Sequence, residues 1–380
     1  MRILTLNYGS KTLKWAVFVN GHRVETGKGA CATEDALRSV LNATVAAAAQ
    51  RYLPLDGVAH RVVHGLTRTE PAVITGLVLS DIKSATRFSP VHNERALVGI
   101  ECTRTWAERH VAVFDTTFHA EMPEVARQYG LHCRLYEKHG VRRYGFHGLA
   151  FAAMVRRLTQ LMDKPREQIN AVLLQLGGGA SACAIRRGRS IDTSMGMTPL
   201  EGLIMETRCG DIDPGIVLAL WRAGFDLETV ERILTEDSGI CGLGSWESTA
   251  ECVERAEKGD RFAHRALQLY AYRVRKYIGA YHAIVGGAEA LVFGGGVGEN
   301  SPFVRSLVCQ GLEHLGIVID EGRNAANAEE ISAGDAAIRT FVIRVDEERE
   351  LYRAAVEVLT PARGGPPDPP PAPDGPTNAP

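Results

Sequence analysis

A pattern of strand, glycine loop, strand and tight turn occurs twice in the chain, at residues 3–21 and 171–188. The first copy ends in Asn20-Gly21, a dipeptide typical of hairpin turns, and the second ends in Arg187-Gly188. The pairs in register between the copies are Leu6 with Leu174, Gly9 with Gly177, and Ala16 with Ala184. The repeat predicts a duplicated α/β unit in which one glycine loop from each copy faces a shared cleft.

The length and charge of the chain narrow its class. At 380 residues it is long enough for two domains, and an apolar content of 45% is typical of globular proteins. The net charge of -2 does not suggest a nucleic-acid or membrane surface, and no apolar run reaches the ~18 residues of a membrane span. The N-terminus has no signal-peptide pattern, and the eight cysteines have no metal-site spacing, so we expect reduced thiols in a cytoplasmic protein.

Two helices near the C-terminus are predicted from their first residues and apolar faces. Ser301-Pro302 begins one helix, which ends before Gly316, and Asp346 opens another, which ends before Pro361. Residues 361–380 are dense in proline and glycine and have no apolar periodicity. Such a segment cannot bury enough surface to offset its ordering entropy, so we expect a disordered tail.

Three glycine-rich segments are candidates for phosphate binding: Gly9-Ser10, residues 177–179 and residues 294–300. Backbone N–H groups of such loops converge on phosphate oxygens, and the third segment leads into a helix N-terminus at Ser301. None matches the P-loop or Rossmann fingerprint, and each alone is better interpreted as a plain tight turn. Three in one chain, two of them on the repeated hairpins, favour a nucleotide cleft.

The irregular polar segment 192–214 is expected to line a site. Arg208 within it could clamp a transferring phosphoryl group, because guanidinium presents a planar fork of donors. On the residues alone, a surface ion pair of Arg208 with Asp211 or Asp213 explains the arginine equally well.

Six segments closely resemble the acetate kinase (acetokinase) family, which includes propionate kinases, in sequence and in order. The resemblance covers residues 1 to about 360. The segments are Asn7-x-Gly9-Ser10-x-Thr12-Leu13-Lys14, His60-Arg61-Val62-Val63-His64-Gly65, Val113-Phe114-Asp115-Thr116-Thr117-Phe118-His119, Arg142-Arg143-Tyr144-Gly145-Phe146-His147-Gly148, residues 192–214 and residues 294–301.

The resemblance implies the fold of sugar kinases, Hsp70 ATPases and actin, the ribonuclease H-like type. In that fold two duplicated α/β domains close on a nucleotide cleft, which agrees with the repeat found in the residues. The first domain would comprise residues 1–117 and about 348–360, and the second residues 118–347. The family is homodimeric, and the same assembly is implied here.

The resemblance also implies catalytic and substrate-binding residues. Phosphoryl transfer needs positioning and neutralisation of charge rather than covalent chemistry from the protein. Arg61 and Arg208 would hold the carboxylate and the migrating phosphoryl group. His147 would donate to that group in the transition state, and His92 would align it. Asp115 would orient an arginine or magnesium rather than remove a proton, because a carboxylic acid acceptor is already ionised at neutral pH.

Metal, nucleotide and acyl contacts complete the implied site. Asn7 and Glu347 would hold Mg²⁺, or alternatively Mn²⁺, and Lys14 would reach the nucleotide phosphates. The acyl end of the substrate would contact Val63, Val91, Phe146 and Pro199. The nucleotide would contact Gln175, Leu176, Gly177, Gly178, Gly179, Gly296, Val297, Gly298, Glu299 and Asn300. Structural alternatives exist: the apolar residues could be plain core, the histidines interior hydrogen-bonded groups, Lys14 a solvated side chain, and Glu347 a first-turn helix acid.

Four segments depart from the family pattern. Residues 175–179 replace His-Leu-Gly-Asn-Gly, residues 249–251 replace Asp-x-Arg, residues 149–151 replace Thr-Ser-His, and residues 205–210 replace Met-Gly-Thr-Arg-Ser-Gly. Glu251 stands where the family has a cation, and a carboxylate facing the base or phosphates would weaken nucleotide binding. The transfer residues are therefore kept while the nucleotide-facing residues have changed.

The activity implied is reversible, magnesium-dependent transfer between ATP and acetate, giving acetyl phosphate and ADP. Alternatives are a propionate kinase, a family member that uses pyrophosphate, and a non-catalytic sensor of nucleotide or acyl phosphate. A sensor would have no reason to keep all of Arg61, Asp115, His147, Arg208 and Glu347. Their joint presence therefore favours the enzyme.

Overall fold

The structure is a computed structural model that describes residues 1–360, so the predicted disordered tail lies outside the described residues. The strands in this part are β1 (Arg2–Tyr8), β2 (Thr12–Val19), β3 (His22–Ala30), β4 (Gly57–Val62), β5 (Ala72–Val73), β6 (His110–Phe114), β7 (Ala171–Leu176), β8 (Ala180–Arg186), β9 (Arg189–Thr193), β10 (Ala290–Gly294) and β11 (Arg339–Val342). They form two mixed sheets.

The two sheets have the same strand order. The first runs β3-β2-β1-β4-β6 with the short β5 added at its edge, and the second runs β9-β8-β7-β10-β11. In each sheet the third strand of this order, β1 or β7, pairs antiparallel with the second and parallel with the fourth. The predicted duplication is therefore present in the topology as well as in the local sequence pattern.

Both predicted hairpin turns are present. Asn20 and Gly21 have φ values of 49° and 88°, and Arg187 and Gly188 have φ values of 52° and 70°. Two consecutive left-handed residues give the turn whose twist matches that of the flanking strands. Glycine at the second position of each turn adopts this conformation without steric cost.

The glycine loops of the two hairpins differ by one residue. Thr5 pairs with Ala16 across β1 and β2, whereas Leu173, the residue equivalent to Thr5, pairs with Cys183. The predicted register of Ala16 with Ala184 is therefore wrong by one position. The reason is that the second loop is one residue shorter, which a comparison of sequence spacing alone cannot reveal.

Helices cover the faces and the ends of the sheets. They are α1 (Glu34–Val40), α2 (Ala46–Gln50), α3 (Gly76–Ala85), α4 (Pro90–Thr103), α5 (Glu124–Arg127), α6 (Cys133–His139), α7 (Gly148–Met162), α8 (Gly215–Arg222), α9 (Leu227–Thr235), α10 (Gly239–Gly244), α11 (Thr249–Glu257), α12 (Arg261–Val285), α13 (Gly295–Asn300), α14 (Pro302–Cys309), α15 (Glu321–Ala325) and α16 (Glu347–Leu359). A π-helical stretch, Leu41–Val45, joins α1 and α2, and 3-10 turns span Thr86–Phe88, Asp115–His119, Arg166–Gln168 and Glu313–Leu315.

The two helix starts predicted near the C-terminus are confirmed. The Ser301 hydroxyl accepts from the Val304 N–H at the start of α14, and the Asp346 carboxylate accepts from the Arg349 N–H at the start of α16. The third glycine segment differs from the prediction, because residues 295–300 form the helix α13 rather than an open loop.

The last helix returns to the first sheet. Leu351, Ala355 and Leu359 on α16 are buried against Ile3 and Val111 of that sheet. The packing agrees with the predicted division of the chain, although the domain bounds themselves stay a prediction. Within residues 1–360, no helix combines the length and the apolarity needed to cross a membrane. The eight cysteines all lie in this part and are unpaired.

Candidate active site

The carboxyl ends of β1, β4 and β6 meet in one buried polar cluster. Arg61 donates to both carboxylate oxygens of Asp115 at 2.7 to 3.2 Å, and its Nη1 donates to Asn7 Oδ1 at 2.9 Å. The Asn7 amide donates to Glu347 Oε2 at 2.7 Å and to Glu348 Oε1 at 2.9 Å. Four predicted residues are thus brought together by three strands and the first turn of α16. Carboxyl ends of parallel strands are where α/β proteins build their sites.

The charges of this cluster support one another. Burial lowers the pKa of Arg61, but Asp115 and Glu347 outweigh it and raise that pKa above its usual range. Burial raises the pKa of Asp115, and the Arg61 guanidinium opposes this shift. Burial also raises the pKa of Glu347. The charge of Arg61, the hydrogen bond from Asn7 and the charge of Lys14 lower it by more, so the net shift is downward. Arg61 is therefore a cation and Glu347 an anion at neutral pH.

His147 lies at the start of α7 in a left-handed conformation, with φ of 58°. A Cβ atom on the next residue, Gly148, would lie 2.0 Å from the backbone oxygen of Asp115, so only glycine fits there. The His147 Nδ1 is 2.8 Å from Ser181 Oγ. Burial and then Arg61 lower the pKa of His147 to about 3, so the ring is neutral. The Ser181 hydroxyl can donate to Nδ1, and the tautomer in which it does so carries the ring proton on Nε2.

Arg208 lies beside His147 over the second glycine loop. A Cβ atom on Gly179 would be 3.0 Å from Arg208 Nη2 and 3.2 Å from His147 Nε2, so both side chains face that glycine. Arg208 Nη1 donates to the Pro199 carbonyl at 2.6 Å. Burial lowers the pKa of Arg208 to about 10, which leaves it charged at neutral pH.

The alternative of a surface ion pair for Arg208 does not hold. Asp211 accepts instead from the Tyr277 hydroxyl at 2.7 Å, and Asp213 accepts from the Gly215 N–H at 2.9 Å. Among residues 1–360, no carboxylate lies within ion-pair distance of Arg208. A partly buried guanidinium without a carboxylate partner in this part of the chain is suited to receive an anionic ligand.

His92 and the predicted acyl contacts lie around the same arginines. Burial, followed by Arg61 and Arg208, lowers the pKa of His92 to about 3. Val63 and Phe146 are buried in one cluster with the core of the second sheet. Val91 is 50% exposed and Pro199 is partly buried. The structure therefore places two of the four apolar residues in the core and leaves two nearer to solvent.

The second and third glycine segments touch each other. A Cβ atom on Gly177 would lie 3.6 Å from the Gly296 nitrogen, and one on Gly295 would lie 2.6 Å from the Leu176 oxygen. Gln175 Oε1 is buried and has no hydrogen-bond partner among the described residues. Lys14 pairs with Asn7 across β1 and β2, on the side of the metal-site candidates. The second and third predicted phosphate segments therefore meet at the carboxyl ends of β7 and β10.

Comparison with known proteins identifies the family. The family model described as the acetokinase family matches residues 3–353. This chain belongs to the acetokinase family. A curated relative, the acetate kinase of Pseudarthrobacter chlorophenolicus, is 46% identical over 312 residues, which cover 80% of this chain and 81% of that protein.

Solved structures agree with this assignment. A propionate kinase from Francisella tularensis has a TM-score of 0.86 at 30% identity, covering 93% of this chain and 98% of its own. The acetate kinase of Porphyromonas gingivalis has a TM-score of 0.82 at 31% identity, covering 94% of this chain and all of its own, 100%. The predicted family, the duplicated α/β fold and the predicted class, a kinase with a carboxyl group as acceptor, are confirmed. The pyrophosphate and sensor alternatives are not favoured.

Side chains of α13 hold backbone groups of this short helix and of the segment before α16. Glu299 Oε1 accepts from the N–H groups of Gly295 and Val345, both at 3.0 Å, and Asn300 donates to the Gly296 oxygen at 2.8 Å. Glu299 and Asn300 were predicted as nucleotide contacts. Glu299 Oε1 and Asn300 Nδ2 thus hold backbone groups, and contact of these two side chains with a nucleotide stays a prediction.

One residue near the glycine loop was missed by sequence reasoning. Glu206 Oε2 accepts from the Thr249 N–H at 2.9 Å, and its Oε1 lies 3.6 Å from where a Cβ atom on Gly178 would be. Glu251, by contrast, accepts from the Glu247 N–H at 2.8 Å and pairs with Arg255 at 2.8 Å. The prediction that the Glu251 carboxylate faces the nucleotide is therefore not supported. The carboxylate beside the loop belongs to Glu206.

The metal-site candidates fit a hard divalent cation. Glu347 and Glu348 each use one carboxylate oxygen to accept from the Asn7 amide, and Asn7 Oδ1 accepts from Arg61, so the oxygens offered to a cation are mainly those of the two carboxylates. Mg²⁺ prefers such oxygens and keeps several waters, so a small protein ligand set is sufficient. Glu348 was not predicted, although it follows Glu347 directly in the sequence.

Buried histidines make the stability of the fold depend on pH. Burial lowers the pKa of His119 to about 4, below the value of about 6.5 in an unfolded chain. The stability that the neutral His119 ring contributes to the fold is therefore complete above pH 6.5 and is lost as the pH falls. Between pH 6.5 and 5 the unfolding free energy of the parent should fall more steeply than that of His119→Gln. We expect the two slopes to differ by about 1 kcal/mol per pH unit. Urea titrations across this range test it, with the exposed His139→Gln as control. Equal pH slopes for His119→Gln and the parent would contradict it.

Proposed function

We propose that this chain is an acetate kinase, which transfers a phosphoryl group reversibly between ATP and acetate. The observation that carries the proposal is the partly buried guanidinium of Arg208, which lies beside the neutral ring of His147 over Gly179. Among residues 1–360 it has no carboxylate within ion-pair distance. On the other side Arg61 and Asp115 form a buried ion pair. Two fixed cations and a neutral donor suit an anionic acceptor and a migrating phosphoryl group.

The two arginines have different roles in this proposal. Two N–H donors of Arg61 are bonded to Asp115 and one is bonded to Asn7. It therefore supplies positive charge at a fixed position, and Asp115 keeps it there. Arg208 Nη1 donates to the Pro199 carbonyl, and its Nη2 points toward Gly179. Arg208 is therefore the group that binds the substrate anion directly.

Proton transfer by the protein is not required for the attack. Acetate is ionised at neutral pH, so its oxygen attacks the terminal phosphorus of ATP without a general base. Asp115 has both carboxylate oxygens occupied by Arg61 and acts by orienting that arginine. His147 donates its Nε2–H to the equatorial phosphoryl oxygen, and its low pKa keeps it neutral throughout. His92 aligns the same group from the side of the two arginines.

Asn7, Glu347 and Glu348 would hold Mg²⁺, with Mn²⁺ as the alternative. When bound, the ion neutralises charge on the donor phosphates. Lys14 and the backbone of residues 177–179 and 296–298 would hold those phosphates. Closure of the two halves would exclude water, which otherwise competes with the carboxylate for the phosphoryl group.

We place this reaction in the cytoplasm, where ATP is available and unpaired thiols persist.

The acyl pocket should accept propionate. The family commonly has leucine where Val91 stands, and the loss of about one methylene leaves room worth roughly 0.8 kcal/mol of burial. A coupled assay of acyl phosphate formation with acetate, propionate and butyrate tests both the activity and the pocket. We expect acetate and propionate to differ modestly in kcat/KM. A preference for acetate by several orders of magnitude contradicts the pocket, and no acyl phosphate from any of the three contradicts the function.

ATP should be the donor, bound more weakly and with less choice among purines than is usual for the family. Gly178 offers no side-chain donor, and the Glu206 carboxylate beside it repels phosphate. Calorimetric titration with magnesium-ATP, magnesium-GTP and magnesium pyrophosphate tests this, and Glu206→Gln should tighten ATP binding several-fold while Glu251→Gln should not. Tight ATP binding with GTP rejected would refute relaxed choice, and binding of pyrophosphate alone would overturn the donor.

Arg208→Ala should abolish transfer with little effect on folding. Removal of one donor that acts mainly in the transition state costs on the order of 100-fold or more in turnover. Steady-state kinetics of the purified variant, with an unfolding curve to verify its fold, measures the effect. The exposed Arg186→Ala serves as the matched loss of one guanidinium and should remain active. Near-normal turnover of folded Arg208→Ala would remove the arginine from the mechanism.

We infer a homodimer from the resemblance and from the surface of α8. This helix buries none of its residues, and Ile216, Leu218 and Trp221 on it are 44%, 51% and 60% exposed. Leu218 and Trp221 lie three residues apart on one face of α8, and because exposed apolar residues of this kind mark interfaces, we propose that a second copy covers them. Light scattering after size exclusion should show a dimer that Trp221→Glu converts to a monomer. Leu77→Glu, at an apolar residue exposed elsewhere, should not. A monomeric parent protein would refute the assignment.

A further inference from the structure

A cavity of about 480 Å³ lies between α7, α16 and the segment that joins β11 to α16. Its volume is within the range of small-molecule sites. Of the residues assigned to the candidate active site, only Glu299 lines it. The mechanism therefore leaves this cavity without a role.

Guanidinium groups dominate the lining. Five arginines face the cavity, and its four carboxylates are each already engaged. Glu350 binds both Arg156 and Arg353, and Glu329 binds Arg157 at 2.7 Å. Counted over the lining, five guanidinium groups face four carboxylates, which leaves a surplus of one positive charge.

The remaining carboxylates do not remove this surplus. Asp346 is divided between Arg349 and Arg23, and Glu299 is occupied by backbone N–H groups. Arg344 is exposed and forms no ion pair within the described part of the chain. At least one guanidinium thus faces the cavity with its donors free.

We propose that this cavity binds a small phosphorylated molecule that regulates the kinase. Guanidinium forks match the oxygens of a phosphate ester bidentately, and more strongly than those of neutral polar ligands. Partly exposed ion pairs are individually weak, so a dianion can compete with Glu329 or Asp346 for their arginines. The size of the cavity suits a sugar phosphate or bisphosphate.

The cavity is coupled to the candidate active site by two short connections. Arg349 reaches Asp346, the residue that caps the start of α16, and the next residues, Glu347 and Glu348, are the metal-site candidates. Glu299 joins the N–H of Val345 on the cavity side to that of Gly295 beside the glycine loops. A ligand that draws Arg349 away from Asp346 loosens the first turn of α16. We therefore expect the ligand to weaken the binding of magnesium-ATP.

Calorimetric titration of the full chain with fructose 1,6-bisphosphate tests the site directly. We expect binding that the double variant Arg157→Ala/Arg344→Ala weakens at least tenfold. Arg208→Ala, in the active site, and the exposed Arg265→Ala should leave it unchanged. Absence of binding to the parent protein, or binding lost in Arg208→Ala but not in the double variant, would overturn the proposal.

Kinetics test the regulatory part. With the bisphosphate present, the KM for ATP of the parent should rise at least threefold, and that of the double variant should not change. Without it, the two proteins should have the same activity, which separates failure of this site from failure of the catalytic assignment. Binding without any change in KM would refute regulation.

Discussion

The rest of the structure depends on a buried positive charge at Arg61. Taking a guanidinium out of water is unfavourable unless it is paired with a carboxylate and its N–H groups are hydrogen-bonded. Removal of one partner from such a buried pair typically destabilises a protein by about 3–5 kcal/mol. Asp115 from β6, Asn7 from β1 and Glu347 from α16 supply those partners. Satisfying one side chain therefore fixes the ends of three strands and the approach of the last helix.

Arg208 shows the opposite use of the same physics. Its guanidinium is also largely removed from water, yet the chain provides a carbonyl rather than a carboxylate, and burial accordingly lowers its pKa to about 10. The neutral rings of His147 and His92 add no anion to offset it. One arginine is thus satisfied by the protein and the other by the substrate. This asymmetry makes the cleft attractive to carboxylate and phosphoryl oxygens without letting the protein's own acids occupy it.

Local patterns predicted what depends on short-range rules. The turn at Asn20-Gly21, the strand end before Asp115 and the helix start at Ser301 were all predictable. Each follows from the conformational preferences of a few neighbouring residues. Contacts between distant segments were not predictable in this way. The register shift at Ala184, the backbone hydrogen bonds of Glu299, and the position of Glu206 rather than Glu251 beside the loop depend on how whole elements pack.

The changed residues at the nucleotide side are physically linked to one another. Glycine at 178 leaves open space next to the loop, and the Glu206 carboxylate fills part of it while capping the first N–H of α11. A carboxylate at a helix N-terminus is stabilised by the helix dipole, so the side chain has a structural reason to stay there. The Glu206 N–H also donates to the Gly178 oxygen at 3.0 Å, which ties the two segments together. A Cβ atom at 178 would be in ordinary contact with Glu206, so a longer side chain there would meet this carboxylate before it met a phosphate.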